Sequence, residues 1–357
     1  VSSISDKVSE GKMISKTVIK KVLEFDNPGR IGYDFLDGSL RDFKFVELNI
    51  PVKEHNKWQK PAYFADMYPE YKDFDGTLRL DEYGNLWGRM AHDTTGGGEV
   101  LEGALKSWED LDSYKLPDID DEKRFFNAHL SVEPYKERFI LGPIPGCTFA
   151  IMRNIRKMEY FLEDLVLEED NVLKLQDMVI TKLVNMVDMF GAMKCVDGIF
   201  FCEDWGIQDR LLVSPAMWRE IFKPAFVKLC TAARRNNLKV LMHSCGYIYE
   251  ILDDLLEVGI DAFQLDQPTL MGIERLAEKI GGKATLFSPV DIQAILPTGN
   301  RQLIRDAATQ MVDLFYKNGG LIAKDYGDYN TLRIKDEWAG WARERFFEIG
   351  GFDPGKK

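Results

Sequence analysis

The chain carries two hydrophobic rhythms, and its second half switches between them at regular intervals. Short runs of β-branched and aromatic residues at 198–203 (GIFFCE), 239–243 (KVLMH), 262–266 (AFQLD), 284–288 (ATLFS) and 320–325 (GLIAKD) read as buried strands. Between them lie longer stretches with apolar residues every three or four positions, the period of a helix that buries one face. Segment 159–189 has this pattern with a break around 168–171, which predicts two helices. Segment 248–258 stops at Gly259 and 301–317 at Asn318-Gly319-Gly320, both natural helix ends. Weaker apolar runs at 31–35, 45–50 and 139–142 bring the strand count to eight. Strands alternating with helices predict a parallel sheet, and eight of them predict an α/β fold of the (β/α)8 TIM-barrel type.

One segment breaks the rhythm. Residues 51–137 hold aromatic and glycine-rich pieces, DEYGNLWGRM (81–90) and DTTGGGEV (93–100), that predict a hairpin, then an acidic helix-forming stretch at 108–124. The expected organisation is one barrel domain over 1–357 with an insertion near its N-terminal third, about 51–137, lying over the barrel mouth.

Composition narrows the function classes. The 357 residues are 45% hydrophobic and 29% charged, ordinary for a globular protein, with a formal net charge of −12. A polyphosphate backbone selects basic stripes, so nucleic acid is not an expected partner. The five cysteines, Cys147, Cys195, Cys202, Cys230 and Cys245, are an odd and scattered set that suits a reducing compartment better than a disulfide framework. The opening VSSISDKVSEGKMISKTVIKK lacks a signal peptide's apolar core, and no apolar run would span a bilayer. A cytoplasmic protein with no membrane association is the expectation.

Candidate chemistry gathers where strands end. His243 and Cys245, two apart just past a strand, can point the same way, and in a barrel the strands' C-terminal end is the active-site face. Imidazole and thiolate are good donors to zinc, and Asp266 ends the next strand as a candidate third ligand, leaving one position open. The plainer alternative is a core histidine beside a cysteine acting as a small hydrophobe. A second cluster, Cys202-Glu203-Asp204-Trp205-Gly206-Ile207-Gln208, ends another strand with two adjacent acids that are costly to bury unless used. A third, with Lys324, Asp325, Tyr326, Asp328 and Tyr329, ends the last strand. His55, His92 and His129 lack metal-like spacing, and Gly96-Gly97-Gly98 lacks the lysine of a phosphate-binding loop.

The motifs DEYGNLW, TTGGGEV, SWEDLDSYKLPD, DGIFFCEDWGIQ, LVSPAMWREIFKPAF, KVLMHSCG, GIDAFQLDQP and NGGLIA resemble the uroporphyrinogen decarboxylase superfamily over about 30–329. HSCG is similar to its cobalamin-dependent methyltransferase branch. The resemblance implies a (β/α)8 barrel and zinc held by His243 and Cys245, with Asp266 where that branch often has an acidic ligand. Tyr326 stands where the branch commonly has a ligand cysteine. That departure weakens thiol activation, because a His/Cys/Asp set leaves the metal less negative and a better Lewis acid.

The resemblance therefore implies an enzyme moving a methyl group from a small O-methyl donor, methoxyaromatics included, to the Co(I) of a separate corrinoid protein. Glu203, Asp204, Asp325 and Tyr326 are the expected catalytic groups. Asp34, Trp205, Gln208 and Tyr329 are the expected substrate-binding groups, and the 51–137 insertion the expected docking rim for the corrinoid partner. Oligomeric state stays open, a homodimer among the options. Three alternatives stand beside this reading: a thiol-methylating methylcobamide methyltransferase, a metal-free uroporphyrinogen-type decarboxylase using Asp34 with Arg30 and Arg41 nearby, and a non-catalytic barrel.

Overall fold

In the computed structural model, residues 14–36, 40–92 and 97–351 are described, and they contain eleven strands. These are β1 (Gly32–Asp34), β2 (Phe43–Phe45), β3 (Gly76–Leu80), β4 (Leu86–Met90), β5 (Glu99–Glu102), β6 (Phe139–Pro143), β7 (Gly198–Cys202), β8 (Lys239–His243), β9 (Ala262–Gln264), β10 (Thr285–Ser288) and β11 (Leu321–Lys324). Eight form one parallel sheet in the order β1-β11-β10-β9-β8-β7-β6-β2, the nearly closed sheet of a TIM barrel. The contacts divide the chain into two compact units. The first comprises Val1–Glu47, Asn127–Ile144 and Val187–Lys357, the second Leu48–Phe126 and Pro145–Met186.

The first unit holds the barrel. Later strands follow the ideal pattern, with helices Lys223–Arg235, Leu252–Val258, Ile273–Ile280 and Arg301–Phe315 between them and Asp336–Ile349 after β11. The first crossover departs from it. Only eight residues separate β1 from β2, too few for a helical crossover. The backbone instead returns on itself, with an antiparallel bridge between Asp34 and Arg41. The buried Arg30–Asp42 ion pair (2.7 Å) secures the base of this return. β2 also begins earlier than the 45–50 run predicts. Val46 N–H still bonds the Leu141 carbonyl beside it, but Asn49 N–H bonds Arg124, so the polar half of that run leaves the sheet.

Strand alternation produces a gradient along the barrel axis. Phe43, Phe139, Leu141, Leu241, Ala262, Phe287 and Ile322 form one apolar cluster with Val18, Ile19, Val22 and Leu23 of helix Ser15–Glu24. Phe43 stacks on Phe287 at 5.3 Å between centroids. Each such ring contributes about 1.5–3 kcal/mol by leaving water. The helix sits at the strands' N-terminal ends, where Lys16 and Lys20 meet Asp197 and the Val22 carbonyl accepts from Gly320 N–H. Two residues further along β7, β8, β9 and β11 the same inward face turns polar, at Cys202, His243, Gln264 and Lys324. One end of the barrel is therefore plugged with hydrocarbon, and the C-terminal end is left for chemistry.

The second unit carries the antiparallel sheet β3-β4-β5. The hairpin expected around DEYGNLWGRM is its β3–β4 turn, where the Asp81 carboxylate accepts from the N–H groups of Tyr83 and Asn85. Leu78 and Leu86 are buried against Phe64 on one face. The predicted break near 168 is also present, between helices Met158–Leu167 and Glu169–Ala192. The expected helix at 108–124 is not. Only a 3-10 turn at Trp108–Asp110 and four helical residues, Glu122–Phe125, form there. Pro117 interrupts the stretch, and Asp118 and Asp120 are drawn to Lys182 (3.1 and 2.9 Å), which favours an extended backbone.

Candidate metal centre

At the C-terminal end of the barrel, ligand atoms of Asp204, His243 and Cys245 lie within 4.8 Å of one another. His243 Nε2 is 3.2 Å from Cys245 Sγ and 3.4 Å from Asp204 Oδ1. Asp204 Oδ1 also accepts the Cys245 backbone N–H at 3.0 Å. His243 is the last residue of β8, and Asp204 lies just beyond β7. Past the regular ladder the two segments stay joined, with Glu203 N–H bonding the His243 carbonyl and Gly206 N–H the Cys245 carbonyl.

Two glycines permit this contact. A Cβ on Gly206 would lie 2.4 Å from Tyr247 N, and one on Gly246 only 2.3 Å from Gly206 backbone atoms. Gly246 also has φ +75°, a left-handed conformation that side chains other than glycine's resist. Behind them Trp205 is fully buried, edge-on to Trp218 (6.0 Å) and Phe222 (4.8 Å). The ring expected to shape a substrate pocket is thus packed beneath the loop, against these two rings.

Asp266, expected as the third ligand, takes a different place. Its Oδ1 accepts from Gln264 Nε2 (2.6 Å) and Lys324 Nζ (3.2 Å), and its Oδ2 stands 3.9 Å from His243 Nδ1. The inward-facing Lys324 ammonium draws this carboxylate behind the imidazole, and Asp204 takes the position beside Nε2. The Nδ1 atom is buried and has no hydrogen-bond partner among the described residues. A histidine presenting Nε2 to a cation with a carboxylate behind Nδ1 is a common metal-site arrangement, and one imidazole, one thiolate and one carboxylate suit zinc. The residues present thus fit a metal ion. Burial disfavours a charged ring, yet hydrogen bonding to Asp204 and Cys245 holds the His243 pKa well above the usual imidazole range. The anionic surroundings call for positive charge at this point.

The other expected residues separate by strand parity. Tyr326 shares the inward parity of Lys324; its hydroxyl pKa is raised by burial and then by the charges of Asp266 and Cys245, which keeps it protonated beside the cluster. Asp325, of opposite parity, is buried and occupied elsewhere. Its Oδ2, expected to act in catalysis, accepts from Leu36 N–H and Arg343 Nη2, both at 2.9 Å. Tyr329 is a brace, accepting the Tyr326 N–H (3.0 Å) and donating to Asp325 (3.4 Å). Glu203 is fully buried, with parity opposite to Asp204. Gln208 is exposed and bonds Gln293 at 2.8 Å. Asp34 accepts from Arg41 at 2.8 Å, and burial raises its pKa despite that partner.

Two inward residues have no role among the expectations drawn from the sequence, Cys202 of the second cluster and Gln264 of the 262–266 run. Cys202 pairs in register with His243 and is exposed. Counting back in steps of two from Asp204 would have found it.

Comparison with known proteins now adds a lineage. The family model described as uroporphyrinogen decarboxylase (URO-D) matches residues 90–324, a span that includes every member of the cluster. The chain belongs to the URO-D family. No curated protein matches this URO-D chain at the level of sequence. Among solved structures, a methyltransferase from Methanosarcina mazei aligns with TM-score 0.65 and 14% identity over 95% of this chain and 99% of that one, a similarity of fold. A D-psicose 3-epimerase aligns at TM-score 0.41 and 9% identity over 69% of this chain and 88% of that one, and nothing is built on it.

Proposed function

We propose that this URO-D member is a zinc-dependent methyltransferase that moves a methyl group from a small O-methyl donor, such as a methoxyaromatic compound, to the Co(I) of a corrinoid carried by a partner protein. The observation that carries the reading is the convergence of Asp204 Oδ1, His243 Nε2 and Cys245 Sγ at the active-site end of the barrel. The whole-chain fold similarity to a methyltransferase supports it.

Asp204, His243 and Cys245 would hold the metal, which when bound supplies Lewis acidity toward the donor's oxygen. Around it, the Asp266 carboxylate lies behind the imidazole, 3.9 Å from Nδ1, and its charge favours a positive ring. Transfer of the methyl group to the corrinoid would break the C–O bond of the donor, with an alkoxide or phenolate as leaving group. Tyr326, held protonated, donates a hydrogen bond to that oxygen as its charge develops. Lys324 adds a positive charge on the same side, 3.2 Å from Asp266.

The decarboxylase alternative requires cations free to grip a polycarboxylate. Here the buried Arg30 is committed to Asp42 through both Nη atoms, and Arg41 is engaged by Asp34 through Nε. In the described residues no helix is long and apolar enough to cross a membrane, and all five cysteines are free, which suits the proposed reducing cytoplasm.

Metal analysis of the purified protein, with a screen of methyl donors against cob(I)alamin, tests the proposal. About one zinc per chain, its loss in Cys245→Ala, and methylcobalamin formation are expected. No zinc together with unimpaired Cys245→Ala would refute it, and turnover of uroporphyrinogen would favour the alternative.

A further inference from the structure

The second unit presents a second cluster of charge, on the face of its sheet opposite the buried Leu78–Leu86 side. There Thr77 stands opposite Arg89 and Arg79 opposite Trp87 in the β3–β4 register. The Arg79 guanidinium lies 5.0 Å from the Trp58 ring centroid and 5.1 Å from that of Trp87, and Arg89 lies 4.7 Å from Trp58. Two guanidiniums are thus held around one indole. Among the described residues no carboxylate pairs with either of them.

That absence is unexpected in a chain with 58 acidic and 46 basic side chains. The nearest candidate, Asp81, is engaged elsewhere, accepting from Trp87 Nε1 (2.7 Å), Asn85 and backbone N–H groups. Two further atoms are without partners. Arg79 Nε and Thr77 Oγ1 are buried and make no hydrogen bond among the described residues. Burial pulls the Arg79 pKa down, the charge of Asp81 partly offsets it, and the charge of Arg89 adds to the lowering. Cation–π stacking alone accounts for the packing of the arginines on the indoles. It does not account for the unpaired donors or for two like charges kept side by side.

We propose that this face is an oxyanion-binding site that takes the phosphate or carboxylate group of a small molecule between the Arg79 and Arg89 forks and the Thr77 hydroxyl. A guanidinium presents parallel N–H donors whose geometry matches both groups, and two of them with a hydroxyl suffice for one oxyanion. The assignment is independent of methyl transfer, because none of these residues belongs to the barrel cluster.

Calorimetric titration of the full chain with inorganic phosphate and with succinate, at constant ionic strength, tests the proposal. Saturable binding of at least one anion is expected, weakened about tenfold or more in Arg79→Gln and Arg89→Gln. Arg89→Lys, which keeps the charge but loses the fork, and Thr77→Val should also weaken it. Phosphate binding alone identifies a phosphate ester as the ligand class, and succinate binding alone a carboxylate. No saturable binding of either anion at millimolar concentration overturns the site. So does affinity unchanged in both Arg89→Lys and Thr77→Val, and those two mild variants decide the matter if the glutamine variants fail to fold.

Discussion

Asp204 and Asp266 flank the same imidazole from opposite sides, and separating their roles is the sharpest test of the centre. Asp204 Oδ1 lies 3.4 Å from Nε2, within the cluster, and Asp266 Oδ2 lies 3.9 Å from Nδ1, outside it. Two unit charges at that second distance interact by about 4 kcal/mol at an effective dielectric constant of about 20. An imidazole bound to a cation carries only part of that charge, and Lys324 claims the other oxygen of Asp266 at 3.2 Å. The expected loss in Asp266→Asn is therefore smaller than the ceiling, about 1.4–2.7 kcal/mol, or 10–100-fold in metal affinity, as for other groups that orient a ligand. Asp204→Ala removes one of three protein donors and should leave no metal after dialysis. Zinc content after dialysis and competition with a chromophoric chelator read the two outcomes separately. If Asp266→Asn strips the metal while Asp204→Ala keeps it at native affinity, the convergence described here is not the ligand set.

Three further outcomes follow from the same geometry. Gly246→Ala forces a side chain into a left-handed backbone 2.3 Å from Gly206, and strain of about 1–3 kcal/mol should lower the thermal midpoint and metal affinity together; a native midpoint refutes it. Arg343→Ala leaves buried Asp325 without its ionic partner and should cost about 2–4 kcal/mol in urea unfolding while zinc content is unchanged, whereas loss of zinc would return Asp325 to the centre. Asp254, whose pKa is lowered by hydrogen bonds from Lys223 and Arg219 that outweigh its burial, stabilises the fold above the unfolded carboxylate's pKa; Asp254→Asn should cost about 1–3 kcal/mol at pH 7, and the gap should close as pH falls through the lowered value. A gap that widens in acid would contradict that sign.

The barrel was readable because its strands and helices obey periods that a sequence displays directly. β8 has the bounds expected, and the helix break falls at Glu168. What the periods could not show were elements fixed by partners distant in the chain. The stretch 108–124 has helix-forming composition, yet Lys182, 62 residues beyond Asp120, decides its conformation. Likewise the polar half of 45–50 follows the Arg124 carbonyl instead of continuing beside β6.

The centre was half legible for a related reason. His243 and Cys245 lie two apart on one strand extension, so alternation alone sets them on one side. The third candidate donor follows another strand, and there position in sequence is a poor guide. Asp204 and Asp266 each follow a strand adjacent to β8, so adjacency cannot choose between them. Two local facts choose: the inward Lys324, which draws Asp266 behind the ring, and the contact of Gly206 with Gly246, which brings Asp204 to its front. Both are visible as residues in the sequence, but their consequence depends on two loops 40 residues apart coming so close that a Cβ on either glycine would fall 2.3–2.4 Å from the facing backbone. The glycines, more than the acids, therefore specify which carboxylate joins the cluster, and replacing Gly246 should disturb the position of Asp204 before it disturbs the barrel beneath.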